Sequence, residues 1–143
     1  MATNVNNVAA YILQKFGGAM TCMKLEKLAF YSQAWSLVWD EEPLFDEQIE
    51  AWVNGPVVPE LYAGHRGLFK VATWKGDPNA LTSSEKDTVD AVIAFYGKRS
   101  SMELSQMTHQ EEPWIKARKG LSPTERGNRV ITHASMAEYY GGL

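Results

Sequence analysis

Apolar side chains recur along this chain mostly at helical spacing. Val5, Val8, Ile12 and Phe16 form one stripe, with Thr3 or Asn4 as cap and Gly17-Gly18 as stop, so a helix is predicted over about 4–16. Thr21 caps a second and longer one, whose face carries Leu25, Leu28, Ala29, Ser32, Trp35 or Ser36, and Trp39, and which Pro43 keeps from running much past Glu42. Alternation replaces this period at 48–54: Ile49, Ala51 and Val53 oppose Glu50, Trp52 and Asn54, a short strand that Gly55-Pro56 breaks. Pro59 suits the first turn of a short helix through Tyr62 and His65. Residues 68–74 read as a second short strand, followed by a turn at Gly76-Asp77-Pro78-Asn79.

The remaining starts are marked by capping chemistry. Thr82 and Glu85 have capping-box spacing ahead of a stripe at Val89, Val92, Ile93 and Tyr96, which gives a helix over 83–97. Ser100 and Glu103 repeat the box before a short helix with Leu104 and Met107, and Pro113 opens another through Lys119. Val130-Ile131 reads as extended, and Thr132 caps a last helix over 133–140. The fold class is therefore mainly α, α+β at most: a compact helical domain with a small two- or three-stranded sheet or hairpin.

Length and composition narrow this further. At 143 residues the chain fits one domain spanning 1–143, with no repeat or linker to divide it, and 45% hydrophobic and 11% aromatic residues exclude disorder. Fourteen basic against 17 acidic side chains leave a net charge of -3, which gives no general grip on nucleic acid. The single cysteine, Cys22, fits a reducing compartment, and the sequence lacks a basic, apolar leader or a membrane-spanning run, so a cytoplasmic location is expected. The charge is unevenly ordered. Residues 40–50 hold Asp40, Glu41, Glu42, Asp46, Glu47 and Glu50 with no base, whereas 114–129 hold Lys116, Arg118, Lys119, Arg126 and Arg129 against Glu125 alone. Two solvated loops that face one another would account for this, as would an acidic face that attracts a basic partner.

Catalytic chemistry is sparse. His65, His109 and His133 stand singly, without the spacing that sets two imidazoles on one helix face, and the glycine pairs lack a phosphate loop's lysine. No metal or cofactor is expected. The segment Thr108-His109-Gln110-Glu111-Glu112-Pro113-Trp114 is the best catalytic candidate, an imidazole beside carboxylates. A structural role accounts for it better: Thr108 or Glu112 caps the helix that Pro113 begins, Trp114 drops into the core and His109 hydrogen-bonds within the turn. Trp35, Trp39 and Trp52 read as core by their spacing, with Trp52 the one placed to face outward.

Three motifs in order then resemble a known family. Met23-Lys-Leu-Glu-Lys-Leu-Ala-Phe-Tyr-Ser-Gln-Ala-Trp35, then Pro43-Leu-Phe-Asp46 leading into Ile49-Glu-Ala-Trp-Val-Asn-Gly-Pro-Val-Val-Pro-Glu-Leu-Tyr62, and Leu104-Ser-Gln-Met-Thr-His-Gln-Glu-Glu-Pro-Trp114 are similar to the Panacea antitoxin domain, also found as GepA-type prophage-associated proteins. The positions matching its pattern are Lys24, Leu25, Lys27, Leu28, Trp52, Gly55, Pro56, Tyr62, Thr108, His109, Pro113 and Trp114, and the likeness runs from about Val5 to Tyr140. Glu26 departs from the pattern, where Gln is expected more often. The resemblance implies a mainly helical antitoxin of a toxin–antitoxin system, bacterial or prophage-encoded, that binds a protein toxin encoded next to it, many such toxins being translation inhibitors. A relative's behaviour as a proteolytic adaptor gives an alternative in which the toxin is presented to a protease, and a small hydrolase-like enzyme centred on His109 is a further one. Many members carry an added DNA-binding segment, for which this chain has little room; direct nucleic-acid binding and membrane association are not expected. For toxin contact the residues that combine charge with aromatic anchors are Asp40, Glu41, Glu42, Asp46, Glu47, Glu50, Trp52, Asn54 and Tyr62.

Overall fold

A computed structural model describes residues 3–143. The first helix, α1 (Val5–Phe16), starts where the Asn4 side chain accepts from the Asn7 N–H at 2.9 Å, and it ends at Gly17, whose left-handed φ of 80° returns its N–H to the Leu13 carbonyl. Thr21 caps α2 (Cys22–Trp39), an 18-residue helix that is the hub of the molecule. It is buried around most of its circumference, because α1 and the later helices pack against several of its sides. Each fully buried Leu or Phe of this hub contributes about 1.5–3 kcal/mol.

Polar side chains on so buried a helix need internal partners. Gln33 supplies the clearest case: its Nε2 donates to the Phe45 carbonyl at 2.8 Å while its Oε1 accepts from Leu44 N–H at 2.6 Å, so the acidic segment after α2 is folded back onto the helix. The helix stops at Trp39, earlier than Pro43 alone would require, and Glu41 takes a positive φ of 56° as the chain reverses. Contrary to the expectation from spacing, Trp39 lies at this helix end and is half exposed, stacked on Trp35 at 4.9 Å.

Two small antiparallel sheets flank the helices. In one, β1 (Met20–Thr21) pairs with the short β4 (Lys70–Val71), so the strand expected over 68–74 shrinks to two residues. The other is a hairpin of β2 (Glu50–Trp52) and β3 (Gly55–Val57), in register Glu50 with Val57 and Trp52 with Gly55. Gly55-Pro56 does not simply end the strand, as its composition suggests; Val53-Asn54 make a two-residue turn and Gly55, at φ 122°, begins the return strand. Pro56 is tolerated because β3 is an edge strand. The other side of β2 meets the chain near the C-terminus, where Ala51 N–H donates to Arg129 O and Ile131 N–H to Ile49 O, both at 2.8 Å.

Helices complete the domain: α3 (Pro59–His65), α4 (Ser83–Tyr96), α5 (Ser101–His109), α6 (Glu112–Ala117) and α7 (His133–Gly141), with a 3-10 turn at Pro78–Ala80. Both expected capping boxes are formed, at Thr82/Glu85 and Ser100/Glu103. The cap of α6 is Glu111, not Thr108 or Glu112, and its side chain makes no capping bond. That carboxylate is drawn inward instead, accepting from the hydroxyls of Tyr31 and Tyr140, each at 2.7 Å. Around it Tyr31 stacks on Tyr96 at 3.9 Å, so α2, α4 and α7 meet in an aromatic core sealed by one carboxylate. Among the described residues no helix is long and apolar enough to cross a membrane.

Candidate functional site

Glu26 and Lys27 occupy the first half of α2 and are completely buried. Their burial is explained by what lies above them, the β2–β3 hairpin and the start of α3. Glu26 accepts from the Val58 N–H at 2.8 Å and meets His65 Nε2 at 2.7 Å, while Lys27 Nζ donates to the Pro56 carbonyl at 3.0 Å. These bonds tie β3 and both ends of α3 to the hub. Desolvation pushes the Lys27 ammonium down to about 8, the neighbouring Glu26 charge opposing the shift. Gly55 is required by this closeness as well as by its φ, since a Cβ there would lie 2.7 Å from Lys27 Cε and 3.0 Å from Thr108 Oγ1. Glu26, where the motif more often has Gln, thus meets a buried partner in His65.

The hairpin is braced from its other side by α5 and α6. Trp114 Nε1 donates to the Trp52 carbonyl at 2.8 Å, Ser105 Oγ donates to the Asn54 carbonyl, and the buried Arg118 reaches Ala51 O at 3.0 Å with its guanidinium over the Trp114 ring. Thr108 is buried and donates to Ser105 O at 2.7 Å. His109 does not make the turn-holding bond expected of it; its ring stacks on Trp114 at 4.1 Å and its Nε2 has no partner. Burial, with the nearby Lys27 charge, holds its pKa below the ordinary histidine value. Trp114 packs against the core only half-buried. The imidazole and the two carboxylates of this segment diverge: Glu111 is held by the tyrosines, its pKa raised by burial, and Glu112 pairs with Lys116 at 3.3 Å on the surface. Of the remaining motif positions, Leu25 and Leu28 are core, and Lys24 Nζ donates to the Gly97 carbonyl at 2.6 Å.

The outer face of the braced hairpin is a cleft of about 610 Å³, lined by Met23, Trp52, Val53, Asn54, Val57, Tyr62, Arg126, Gly127 and Asn128. Trp52 and Tyr62 meet edge to face at 4.9 Å, and Trp52 Nε1 donates to Glu50 at 2.9 Å. Beside it lies a smaller depression of about 460 Å³, bordered by Asp46, Glu47, Gln48, Glu50, Pro59, Glu60 and Ala63. Trp52, Asn54 and Tyr62 are therefore brought together, and half of the acidic block lies next to them. The other half is elsewhere: Asp40 accepts from Thr88 at 2.8 Å, while Glu41 and Glu42 face solvent. Glu47 also accepts from Val5 N–H at 3.0 Å, capping α1 across the chain. The ends of the acidic and basic blocks are brought close by the backbone bonds beside β2, with no ion pair between them among the described residues. Sequence reasoning missed Met23, Val57, Glu60, Arg126 and Asn128; only Glu60, two places before Tyr62 on the same helix, had a local signal.

Most of these braces lie within a stretch that matches a known family. The profile of the family described as "Antitoxin SocA-like, Panacea domain" matches residues 25–115. The chain belongs to this family. Comparison with curated proteins and with solved structures gave no match. The Panacea match is narrower than the span from Val5 to Tyr140 expected from the motifs: it runs from the first turn of α2 into α6 and contains the hairpin, Glu26 and Lys27 beneath it, and Ser105 and Trp114 on its other side, but not Arg118.

Proposed function

We propose that this protein is the antitoxin of a toxin–antitoxin pair, acting in the bacterial cytoplasm, and that it neutralises a protein toxin by stoichiometric binding without turnover. The match of 25–115 to an antitoxin family carries the reading. The braced hairpin supports it: a surface fixed from beneath by buried bonds loses little freedom when a partner docks. Its outer face combines an aromatic pair with carboxylates, the groups that anchor and steer protein partners. A translation inhibitor encoded beside this gene is the partner in this reading. For His109, Glu111 and Glu112 the proposed role is structural, since each already serves a separate contact on Trp114, the tyrosines or Lys116.

Co-expression with the toxin encoded next to it tests the proposal. Growth is restored, the two proteins elute together in a fixed ratio, and the amount of toxin in the cell is unchanged. A folded His109→Ala variant rescues as well. Disappearance of the toxin would replace stoichiometric masking by delivery to a protease, and failure of the wild-type chain to rescue refutes the antitoxin reading.

A further inference from the structure

Resting on the antitoxin reading, we propose that the toxin epitope is an apolar side chain flanked by lysine or arginine, the apolar group entering the Trp52–Tyr62 cleft and the cation lying over the adjoining acidic depression. The two hollows are one composite surface. Strand β2 contributes Glu50 to the depression and Trp52 to the cleft, and α3 contributes Pro59, Glu60 and Ala63 to the first and Tyr62 to the second. Glu50 and Trp52 are two apart on a strand and share a face, about 7 Å from one another along the chain. Neighbouring side chains on one face of a partner helix have a comparable spacing.

Chemistry sets the occupant. The cleft wall of Met23, Trp52, Val57 and Tyr62 is apolar and open, the surroundings in which a buried anchor contributes most to affinity. The depression gathers Asp46, Glu47, Glu50 and Glu60 with no basic side chain along its border, and none of the four is in an ion pair with a described residue. Their fields add within a Debye length and favour an incoming cation. Arg126 and Asn128 line the cleft itself, so an epitope docked in reverse would set its cation against Arg126. Glu41 and Glu42 border neither hollow, and the composite epitope gives them no part.

The test measures binding of the purified toxin encoded next to this gene, by calorimetry at low and high salt. Tyr62→Ala and Asn54→Arg weaken binding at least about tenfold at both salts, the second by covering the cleft mouth from an exposed turn position. Glu60→Lys weakens it by a similar factor at low salt and returns towards wild type at high salt, where charge is screened. Glu42→Lys, exposed and outside both hollows, changes it less than about threefold. Thermal melts identify any variant that has lost its fold, and Asn54→Arg and Glu60→Lys, both at exposed positions, keep the test decisive if Tyr62→Ala unfolds. Wild-type affinity in Asn54→Arg or in Glu60→Lys, or equal losses in Glu60→Lys and Glu42→Lys, overturns the composite epitope and leaves the antitoxin reading standing. Failure of the wild-type chain to bind or rescue refutes the antitoxin reading, and the epitope falls with it.

Discussion

Replacing Lys27 by Met isolates the cost of a buried ammonium that has one hydrogen bond, to Pro56 O, at 3.0 Å. Its pKa falls from 10.5 to about 8 on folding. Below both values the folded state holds a charge it would rather release, and the penalty amounts to about 3 kcal/mol, to order of magnitude. Between the two values the unfolded chain binds more protons than the folded one, so wild-type stability rises with pH through this window. From pH 7 to pH 9.5 the lysine's contribution improves by about 2 kcal/mol. Met fills similar space and removes the charge but leaves the Pro56 carbonyl without its donor, which costs about 1–3 kcal/mol. At pH 7 the variant is therefore between equally stable and about 2 kcal/mol more stable than wild type. Urea titrations of both proteins at pH 7 and pH 9.5 are compared by difference, which cancels the tyrosines and Cys22 titrating in both. The stability of the variant relative to wild type should fall by about 2 kcal/mol across that interval. A flat difference, or one that grows with pH, would show that Lys27 is not desolvated as its burial requires.

Two further substitutions examine the same hub. Glu26→Ala removes the acceptor for Val58 N–H and His65 together and should cost about 3–5 kcal/mol in chemical denaturation, whereas Glu26→Gln, which keeps an acceptor for Val58, loses clearly less; equal losses would show that shape rather than bonding matters there. Gly55→Ala meets both a φ of 122° and Lys27 Cε at 2.7 Å, so a loss larger than about 1 kcal/mol is expected, and a neutral melt would contradict the tight seat of the hairpin.

Most helices are legible in the sequence through their local capping chemistry. Asn4, Thr21, Thr82, Ser100 and Thr132 all accept the backbone bonds that their side chains and positions suggest. Local signals fail where the decisive partner is distant along the chain. Strand β1 is two residues long and exists because Lys70–Val71 lies beside it, and Pro56 can join a strand only because its edge position demands no donor. Charged Glu26 and Lys27 would be surface residues by type, and it is His65, the Val58 N–H and the Pro56 carbonyl standing over them that make their burial tolerable. The candidate face is partly legible for the same reason: Trp52, Asn54 and Tyr62 lie on one short stretch of chain, while Met23 and Arg126 reach the cleft from opposite ends of the sequence.

The placement of Tyr140 has a practical consequence for anyone dividing this protein. The family-shared stretch closes at position 115, yet Tyr140 is 1% exposed against α2 and donates one of the two hydroxyl bonds that neutralise the isolation of Glu111. Ile131 and Met136 are equally enclosed, and the 129–131 backbone supplies β2 with its second neighbour. A fragment cut to the shared stretch would expose the aromatic core, leave Glu111 with a single donor and strip one edge from the sheet under the cleft. The stretch that matches the family is shorter than the stretch that builds the core, and fusions or truncations designed to carry the candidate face need to retain the chain through Tyr140.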